Sequence, residues 1–199
     1  MMAKKRKVLL FGDSNTYGYD PSDPYEARYS KEIIFPSILQ EMLGEGWQVI
    51  ADGMNGRTLP SLPEDEGFLC RRLNMLTDGD IFTVMLGTND VLLSFNCTGA
   101  VSRMEALLSF LTEKRKPEDI LVIAPPHIGN ENIKDPLYLR FNEESKKMNE
   151  GFLHLARQSS VRFLDAGAWG IPLAYDMVHF SGEGHRLFAE NLARYIENV

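Results

Sequence analysis

The sequence predicts an α/β fold in which a parallel sheet is covered by helices on both faces. Three observations predict it. Short apolar runs of strand length recur along the chain, they alternate with segments whose apolar residues return every three or four positions, and glycine or proline closes several of the runs. A strand that is apolar at every position is buried on both faces, which is typical of a parallel sheet between helix layers. The 199 residues have the length of one domain, so we expect a single domain over residues 1–199.

The first half of the chain contains three predicted strands and one predicted helix. Residues 8–11 form a short apolar run that ends at a Gly-Asp pair. Residues 33–43 predict a helix, which Gly44 and Gly46 would end. Residues 47–51 predict a second strand. Residues 81–86 predict a third, because they are rich in β-branched and aromatic side chains and are followed directly by a glycine.

The second half alternates in the same way. Residues 120–124 predict a fourth strand, closed by Pro125 and Pro126, and residues 161–164 predict a fifth, weaker one. Apolar stripes predict three further helices, with Ser181 as the N-cap of the last. The stripes are Val101, Met104, Leu108 and Leu111; Phe141, Met148, Phe152 and Leu155; and Phe188, Leu192 and Ile196.

Composition excludes several classes of partner and location. Lys and Arg number 21 and Asp and Glu number 28, so the net charge of −7 opposes nucleic acid or an anionic membrane as a partner. No apolar stretch approaches the roughly 18 residues that a membrane helix needs. The basic residues 4–7 precede an apolar run that is too short for a signal peptide, so we expect a cytoplasmic protein. The two cysteines, Cys70 and Cys97, are too few for a disulfide framework and are expected to be free thiols.

Ligands of such a sheet bind beyond the carboxyl ends of its strands, so the residues that follow each strand are the candidates for function. After the first strand stands Ser14, in the sequence Gly-Asp-Ser-Asn. A serine on a strand-to-helix turn is exposed at the edge of the sheet, which is the placement that a nucleophile needs. Taken alone, the same pattern is also typical of a helix cap or an Asp-Ser turn. A phosphate-binding loop is a further alternative, but the glycine and lysine pattern of such loops is absent.

The turns after the second and third strands carry hydrogen-bond donors. Gly56 lies in the Asn-Gly turn after the second strand and can offer its backbone N–H to a ligand. Asn89 follows the third strand, and its side-chain amide can donate to an oxyanion. Each motif alone is equally typical of a plain turn or a helix cap.

Asp176 and His179 stand just before the last predicted helix. An aspartate three residues before a histidine can fold back within one turn and accept from Nδ1–H, which leaves Nε2 free as a base. The alternative is a capping aspartate with an incidental histidine. A metal site would use His179, His185 and Asp176, but their spacing does not match a zinc-binding helix. We therefore expect no metal and no cofactor.

The four motifs fall at one edge of one predicted sheet, and each supplies a different part of the same machinery. The hypothesis assigns Ser14 as nucleophile, His179 as base and Asp176 as the residue that orients the base. The Ser14 and Gly56 amides and the Asn89 side chain would form the oxyanion hole.

These blocks, which read FGDSN, NGRT, GTND and DxxH, resemble the SGNH-hydrolase superfamily of GDSL-type esterases and lipases. That family's signature is one Ser, Gly, Asn and His in separate blocks, matched here at Ser14, Gly56, Asn89 and His179. The resemblance spans positions 11–179. It implies a flavodoxin-like, three-layer α/β/α sandwich whose five parallel strands have the order 2-1-3-4-5.

A closer likeness is to the arylesterase and acyltransferase branch of that superfamily. The segments VLLFGDSNTYGY, GMNGRT, VMLGTND and FLDAG and the Pro-Pro pair all resemble segments of this branch. The resemblance implies a serine esterase that hydrolyses, or transfers to alcohols, the short acyl groups of small soluble esters. A carbohydrate O-deacetylase and a lysophospholipase or thioesterase remain alternatives. A non-enzymatic flavodoxin-like binder is disfavoured because it has no use for an Asp and a His at triad spacing. The branch often oligomerises, which leaves a homo-oligomer open.

Four residues are candidates for the rim of a substrate pocket. Tyr17 and Tyr19 stand where some relatives carry tryptophans. His127 follows the proline pair, and either a surface loop or the pocket lining is open for it. Asp13 flanks Ser14, and we expect it, like Asp90 beside Asn89, to order its loop. His185 is expected to be a packed or capping histidine, and residues 18–31 border either the pocket or an oligomer contact.

Overall fold

The structure is a computed structural model that describes residues 5–23, 25, 28–129 and 133–199. In the described part of the chain, five parallel strands form one sheet. They are β1 (Arg6–Gly12), β2 (Trp47–Gly53), β3 (Ile81–Met85), β4 (Ile120–Ala124) and β5 (Arg162–Asp165). Their order is β2-β1-β3-β4-β5, and every neighbouring pair is parallel. The predicted parallel sheet and the strand order 2-1-3-4-5 are therefore confirmed.

The helices lie in two layers on opposite faces of the sheet. In chain order they are α1 (Ser14–Tyr17), α2 (Phe35–Leu43), α3 (Glu66–Leu73), α4 (Thr88–Ser94), α5 (Thr98–Lys114), α6 (Pro136–Gln158) and α7 (Gly182–Ile196). Short 3₁₀ turns occupy Gly44–Gly46, Pro117–Asp119 and Ala166–Ala168. The apolar residues of α2 and α7 form one core with one face of the sheet, and those of α3 to α6 form a second core with the other face.

The side chains of β1 show how one strand serves both cores. Val8 and Leu10 belong to the core under α2 and α7, whereas Leu9 and Phe11 belong to the opposite core. Successive strand residues point to opposite faces, so a strand between two helix layers must be apolar at every position. This is the physical reason why the continuous apolar runs predicted the fold.

Some element boundaries differ from those predicted. β1 begins two residues before the predicted strand, at Arg6, because charged side chains do not prevent main-chain pairing. The Arg6 guanidinium lies over the Trp47 ring, 4.3 Å from its centroid. β3 and β5 differ from the prediction by single residues at their ends. The predicted helix 33–43 begins at Phe35, where a proline in the first turn suits the start of a helix.

The turn after β1 packs tightly against the end of β2. A Cβ added to Gly12 would lie 2.0 Å from Thr16 Oγ1, and a Cβ added to Gly53 would lie 2.1 Å from Tyr17 N. The space of a side chain is occupied by the Thr16 side chain at Gly12 and by the backbone of α1 at Gly53, so both strand ends are glycine. This packing fixes α1 at the carboxyl edge of the sheet, beside the turns that follow β2 and β3.

The structure also bears on the predictions about membrane helices, the two cysteines and the basic residues 4–7. Within the described ranges, no helix is long and apolar enough to cross a membrane. Cys70 and Cys97 are free and half-buried. Of the basic residues 4–7, Lys4 lies outside the described residues.

Candidate active site

Ser14 begins α1, directly after β1 and its Gly-Asp turn. Asp13 is the N-cap, and its Oδ1 accepts the Asn15 N–H at 3.0 Å. The first N–H groups of a helix have no acceptor within the helix, so the Ser14 N–H is available to a ligand. The Ser14 backbone N–H and hydroxyl are thus presented together at the edge of the sheet.

His179 and Asp176 reach Ser14 from the loop that precedes α7. His179 Nε2 lies 2.9 Å from Ser14 Oγ, and His179 Nδ1 lies 2.5 Å from Asp176 Oδ2. The other Asp176 oxygen, Oδ1, accepts the backbone N–H groups of Val178 and His179 at 3.1 and 3.0 Å. Asp176 therefore folds back in one turn, in the way that its spacing predicted. Ser14, His179 and Asp176 form one continuous chain of hydrogen bonds.

Met177 allows this fold-back. Its φ of 60° lies in the left-handed region, which a residue with a side chain seldom adopts. The conformation turns the chain between Asp176 and Val178, and the Met177 carbonyl accepts the N–H of Gly129 at 2.8 Å. The turn that orients His179 is thus anchored to the loop after β4.

The Asp176 carboxyl has two opposing influences on its pKa. Burial favours the neutral acid, but the hydrogen bond with His179 and the two backbone N–H groups favour the carboxylate. The net result is a pKa below the usual value for aspartate. Asp176 is therefore ionised at neutral pH and can hold the His179 ring with its proton on Nδ1.

Asn89 and Gly56 present donors at the same edge. One N–H of the Asn89 side chain donates to the Arg57 carbonyl at 3.0 Å, which orients the amide and leaves the second N–H for a ligand. Gly56 has a φ of +71°, and a Cβ added there would meet no atom within 4 Å. Its backbone N–H has no acceptor among the described residues. Both groups can donate to an oxyanion.

Arg57 fixes the turn that carries Gly56. Its buried guanidinium donates from Nη1 to the Gly12 carbonyl at 2.8 Å and from Nη2 to Asp52 Oδ1 at 2.9 Å. The same guanidinium lies over the Phe11 ring, 4.5 Å from its centroid. Arg57 therefore ties the turn after β2 to the end of β1, immediately before Asp13 and Ser14. The motif contained this residue, but sequence reasoning gave it no role.

Asp90 ties the same turn to α4 and α5. Its Oδ2 accepts the Leu59 N–H at 3.0 Å, and its Oδ1 pairs with Arg103 at 2.8 Å. Burial raises the pKa of the Asp90 carboxyl, although the Leu59 N–H and Arg103 oppose the shift. The contacts are those of a carboxylate that orders a loop.

Asp13 was a candidate pocket residue, and the structure buries it. Its exposed fraction is 2%, and burial raises its pKa to about 6 against the opposing hydrogen bond from the Asn15 N–H. Its contact is again that of a loop-ordering carboxylate.

Tyr19 lies against the candidate base. The centroids of its ring and the His179 ring are 4.6 Å apart. Tyr19 pairs with Arg28 in an isolated antiparallel bridge, and the Arg28 guanidinium lies 4.9 Å from the centroid of the Tyr17 ring. Within residues 18–31, Tyr19 and its bridge partner Arg28 therefore border the candidate site. Within this segment, Pro24, Glu26 and Ala27 lie outside the described residues.

His127, the fourth pocket candidate, lines a separate cavity of about 450 Å³ beyond β4 and β5. Lys146, Gly167 and Leu173 also line this cavity, whereas Ser14 and His179 are not among its described lining residues. Burial lowers the pKa of the His127 imidazole, which favours its neutral form. His127 therefore makes no hydrogen bond with Ser14, His179 or Asp176 in the described part of the chain.

His185 is a packed histidine, as its position in the last helix predicted. It is fully buried, and its Nδ1 accepts the Phe35 N–H at 3.3 Å. Burial lowers its pKa to about 4. Among the residues that the structure describes, no group of three or more His, Cys, Asp or Glu side chains could hold a metal ion.

Residues 10–187, the greater part of the chain, match the family model described as GDSL-like lipase/acylhydrolase. The solved structure of Est24, a carbohydrate acetylesterase from Sinorhizobium meliloti, is similar with a TM-score of 0.81 and 26% identity. The match covers 98% of this chain and 99% of that one. A putative arylesterase from Agrobacterium tumefaciens str. C58 is similar with a TM-score of 0.80 and 26% identity, again over 98% and 99% of the two chains.

The native aryl esterase of M. smegmatis shares the fold, with a TM-score of 0.81 and 23% identity over 97% of this chain and 99% of that one. No curated protein matches the chain.

Proposed function

Because the chain belongs to the GDSL-like lipase/acylhydrolase family, within the SGNH superfamily, we propose that it cleaves esters through an acyl-enzyme on Ser14. An esterase or acylhydrolase activity follows from the family and its structural neighbours. One observation supports the proposal of an acyl-enzyme on Ser14. Ser14 Oγ, both ring nitrogens of His179 and Asp176 Oδ2 are joined by contacts of 2.9 and 2.5 Å.

The first half-reaction forms the acyl-enzyme. With its proton on Nδ1, His179 accepts the Ser14 hydroxyl proton at Nε2 while Oγ bonds to the carbonyl carbon of the ester. The carbonyl electron pair moves to oxygen, and the oxyanion accepts hydrogen bonds from the N–H groups of Ser14, Gly56 and Asn89. When the carbon–oxygen bond to the alcohol breaks, His179 gives its proton to the departing oxygen.

The second half-reaction releases the acyl group. His179 takes a proton from water, or from a second alcohol, while that oxygen attacks the acyl carbon. Collapse of this intermediate breaks the bond to Ser14 Oγ, which recovers its proton from His179. The products are a carboxylic acid or a new ester, and every group of the enzyme returns to its starting state.

The first test compares the wild-type protein with Ser14→Ala on p-nitrophenyl acetate. We expect the substitution to abolish turnover, because alanine has no oxygen to attack the ester. Ser109→Ala is the matched control, since Ser109 is an exposed serine on α5. Turnover by Ser14→Ala at the wild-type rate would contradict the proposal.

We propose further that the substrates are small soluble esters with short acyl groups. The net charge of −7 disfavours adsorption to anionic lipid surfaces. Tyr19 lies against the His179 ring, and Tyr17 stands on the same turn, so rings with polar tips narrow the approach to Ser14. A long acyl channel would add about 0.8 kcal/mol for each methylene that it buries, or roughly fourfold in kcat/KM.

A series of p-nitrophenyl esters tests the acyl preference. We expect kcat/KM to be highest between acetyl and butyryl and to fall by octanoyl. A rate that rises through decanoyl would show that a long acyl channel exists.

A second candidate is the removal of acetyl groups from carbohydrates. The similarity to the Sinorhizobium meliloti carbohydrate acetylesterase favours it, since both chains are covered almost completely. The same Ser14 chemistry serves both candidates. A kcat/KM for acetylated sugars at least tenfold above that for p-nitrophenyl acetate would select the carbohydrate function.

A further inference from the structure

We propose that Asn15 is a positioning residue that sets the distance between the Ser14 hydroxyl and the His179 ring. The proposal rests on the proposed function, because it concerns how the nucleophile and its base are held together. Asn15 itself touches neither the reacting atoms nor the His179 ring through a hydrogen bond, and it acts through the backbone beside His179.

The two ends of the Asn15 carboxamide hold the chain on both sides of His179. Nδ2 donates to the Val178 carbonyl at 3.3 Å, and Oδ1 accepts the Phe180 N–H at 2.8 Å. Asn15 follows Ser14 directly in α1. One side chain thus connects the turn that carries the nucleophile to the loop that carries the base.

The backbone groups next to His179 also make hydrogen bonds within their own loop, and these differ from the bonds made by Asn15. The N–H groups of Val178 and His179 donate to Asp176, and the His179 carbonyl accepts the Ala174 N–H at 2.7 Å. Those bonds lie within the loop, so they shape the loop without fixing its distance from α1. The bonds from Asn15 reach across the 163 and 165 residues that separate it from Val178 and Phe180.

Asn15 is itself firmly placed. Its exposed fraction is 4%, and its backbone N–H donates to Asp13 Oδ1 at 3.0 Å. A displacement of the His179 loop away from Ser14 must therefore break both bonds of a buried amide or disturb the cap of α1. Buried polar groups are costly to leave unpaired, so the two bonds resist such a displacement.

The contacts with Val178 and Phe180 require an amide side chain at position 15. The Val178 carbonyl needs a donor and the Phe180 N–H needs an acceptor, and a carboxamide supplies one of each in the same plane. A carboxylate at this position would place an oxygen against the Val178 carbonyl oxygen. A leucine of similar volume would leave both backbone groups unpaired.

The principal test is Asn15→Leu, with Asn149→Leu as the matched control. Asn149 also has an exposed fraction of 4%, and its Nδ2 makes two tertiary hydrogen bonds, to the Pro125 carbonyl at 2.9 Å and to Asp165 Oδ1 at 3.0 Å. Both variants lose a buried amide, but only Asn15 is joined to the His179 loop. Thermal unfolding, kcat, KM and the pH profile of kcat are measured for each folded variant.

We expect Asn15→Leu to lower kcat by about 10- to 100-fold with KM changed by less than about twofold, because a displacement near 1 Å of a reacting group costs about 10² in rate. The midpoint of the acid limb of the pH profile should stay at the wild-type value, since the bonds between Asp176 and His179 remain. Asn149→Leu should lower the melting temperature and leave kcat within twofold of wild type.

Asn15→Asp decides the question if Asn15→Leu does not fold. It keeps the shape of the side chain and the acceptor for Phe180. Its kcat relative to wild type should rise as the pH falls towards 5, because a protonated carboxyl regains a donor for the Val178 carbonyl.

Wild-type kcat at pH 7 in folded Asn15→Leu or Asn15→Asp would overturn the proposal, and so would an equal loss of kcat in Asn149→Leu. Failure of the proposed function is a separate result, since Ser14→Ala would then remain active whatever the Asn15 variants do.

Discussion

The Asn89 side chain carries two N–H groups, and one of them is already bound to the Arg57 carbonyl at 3.0 Å. The second is therefore held in place before a substrate arrives. A fixed donor favours the charge that develops in the transition state, because it needs no reorganisation during the reaction.

Asn89→Ala should lower kcat by about 10²–10³ and change KM little, since the lost bond forms chiefly with the oxyanion. Steady-state kinetics on p-nitrophenyl acetate measure both constants. Asn142→Ala is the control, because Asn142 donates to the Ile128 carbonyl and makes no described hydrogen bond with Ser14, His179 or Asp176. A kcat within twofold of wild type in Asn89→Ala would remove this side chain from the oxyanion hole.

Asp176 has a pKa below its usual value because the His179 and backbone hydrogen bonds outweigh its burial. A lowered pKa in the folded state means that this carboxylate stabilises the fold above pH 4, and that the stabilisation is lost as the pH falls further.

Asp176→Asn should lower kcat by up to about 10⁴, because the amide can favour the wrong tautomer of His179. The variant and the wild type are compared by kcat at pH 7 and by circular dichroism. A folded variant with more than one tenth of the wild-type kcat would show that His179 is oriented by other groups.

Sequence reasoning selected Ser14, Asn89 and His179 as candidates because each stands in a short motif beside a predicted strand or helix. It could not predict the tertiary hydrogen bonds of Asn15 and Arg57, although both residues stand in those motifs. Their contacts join parts of the chain that are distant in sequence, and a local pattern carries no information on such contacts. The position of His127 after β4 suggested the pocket, and its side chain lines a cavity whose described lining does not include Ser14 or His179.

At the level of elements, the close contact of β2 with α1 is the feature on which the position of Ser14 depends. A Cβ at Gly53 would lie 2.1 Å from Tyr17 N and 2.5 Å from the Thr16 carbonyl carbon, both of them backbone atoms. Neither can move as a flexible side chain would, so the helix as a whole must shift.

Gly53→Ala should therefore lower the free energy of unfolding by about 1–3 kcal/mol and also lower kcat. Gly67→Ala is the matched control within α3, where the added Cβ would meet only Arg71 Nη1, at 3.9 Å. That change should leave kcat unaltered and raise stability by up to about 1 kcal/mol. Urea unfolding measures both free energies. Equal stabilities for the two variants would contradict the tight packing of α1 on β2.

His185, on α7, contacts Phe35 at the start of α2 and makes the stability of this layer sensitive to pH. Burial holds the pKa of its imidazole at about 4, whereas a histidine in the unfolded chain titrates near 6.5. Between these values the unfolded chain binds a proton that the folded protein does not. Stability therefore falls by up to about 3 kcal/mol as the pH falls from about 6.5 to about 4.

His185→Leu should remove this part of the pH dependence, which urea unfolding at pH 7 and pH 5 measures. Asp13, with its pKa raised to about 6, has the opposite effect on stability, but it is present in both proteins and cancels in the difference. His154→Gln, on the exposed side of α6, should keep the wild-type pH dependence. The same slope in His185→Leu and the wild type would contradict the assignment.

The helices show where periodicity is informative. The stripes on α5, α6 and α7 were recognised because each extends over several turns. α3 and α4 were not predicted. α3 buries only Leu69 and Leu73 among charged neighbours, and α4 begins inside the motif that was interpreted as a turn or a cap. A short helix has too few buried positions to establish a period.

At the scale of the whole molecule, parallel strands bring the motifs together at one edge. The turns after β1, β2 and β3 leave the sheet side by side because these strands are neighbours. The alternation of apolar runs and helical stripes was enough to predict the layers. The strand order came from the resemblance of the motifs, because periodicity does not determine which strands are neighbours. Both expectations are confirmed, whereas the partners of the protein stay a prediction.

The central claim, that Ser14 forms a covalent intermediate, is tested most directly by labelling the active protein with a fluorophosphonate probe. Intact mass and peptide mapping then show how many probes bind and where. The account predicts one probe on each chain, attached at Ser14, with loss of esterase activity in step with labelling and no labelling of Ser14→Ala. Labelling that persists in Ser14→Ala, or full activity in a completely labelled protein, would contradict it.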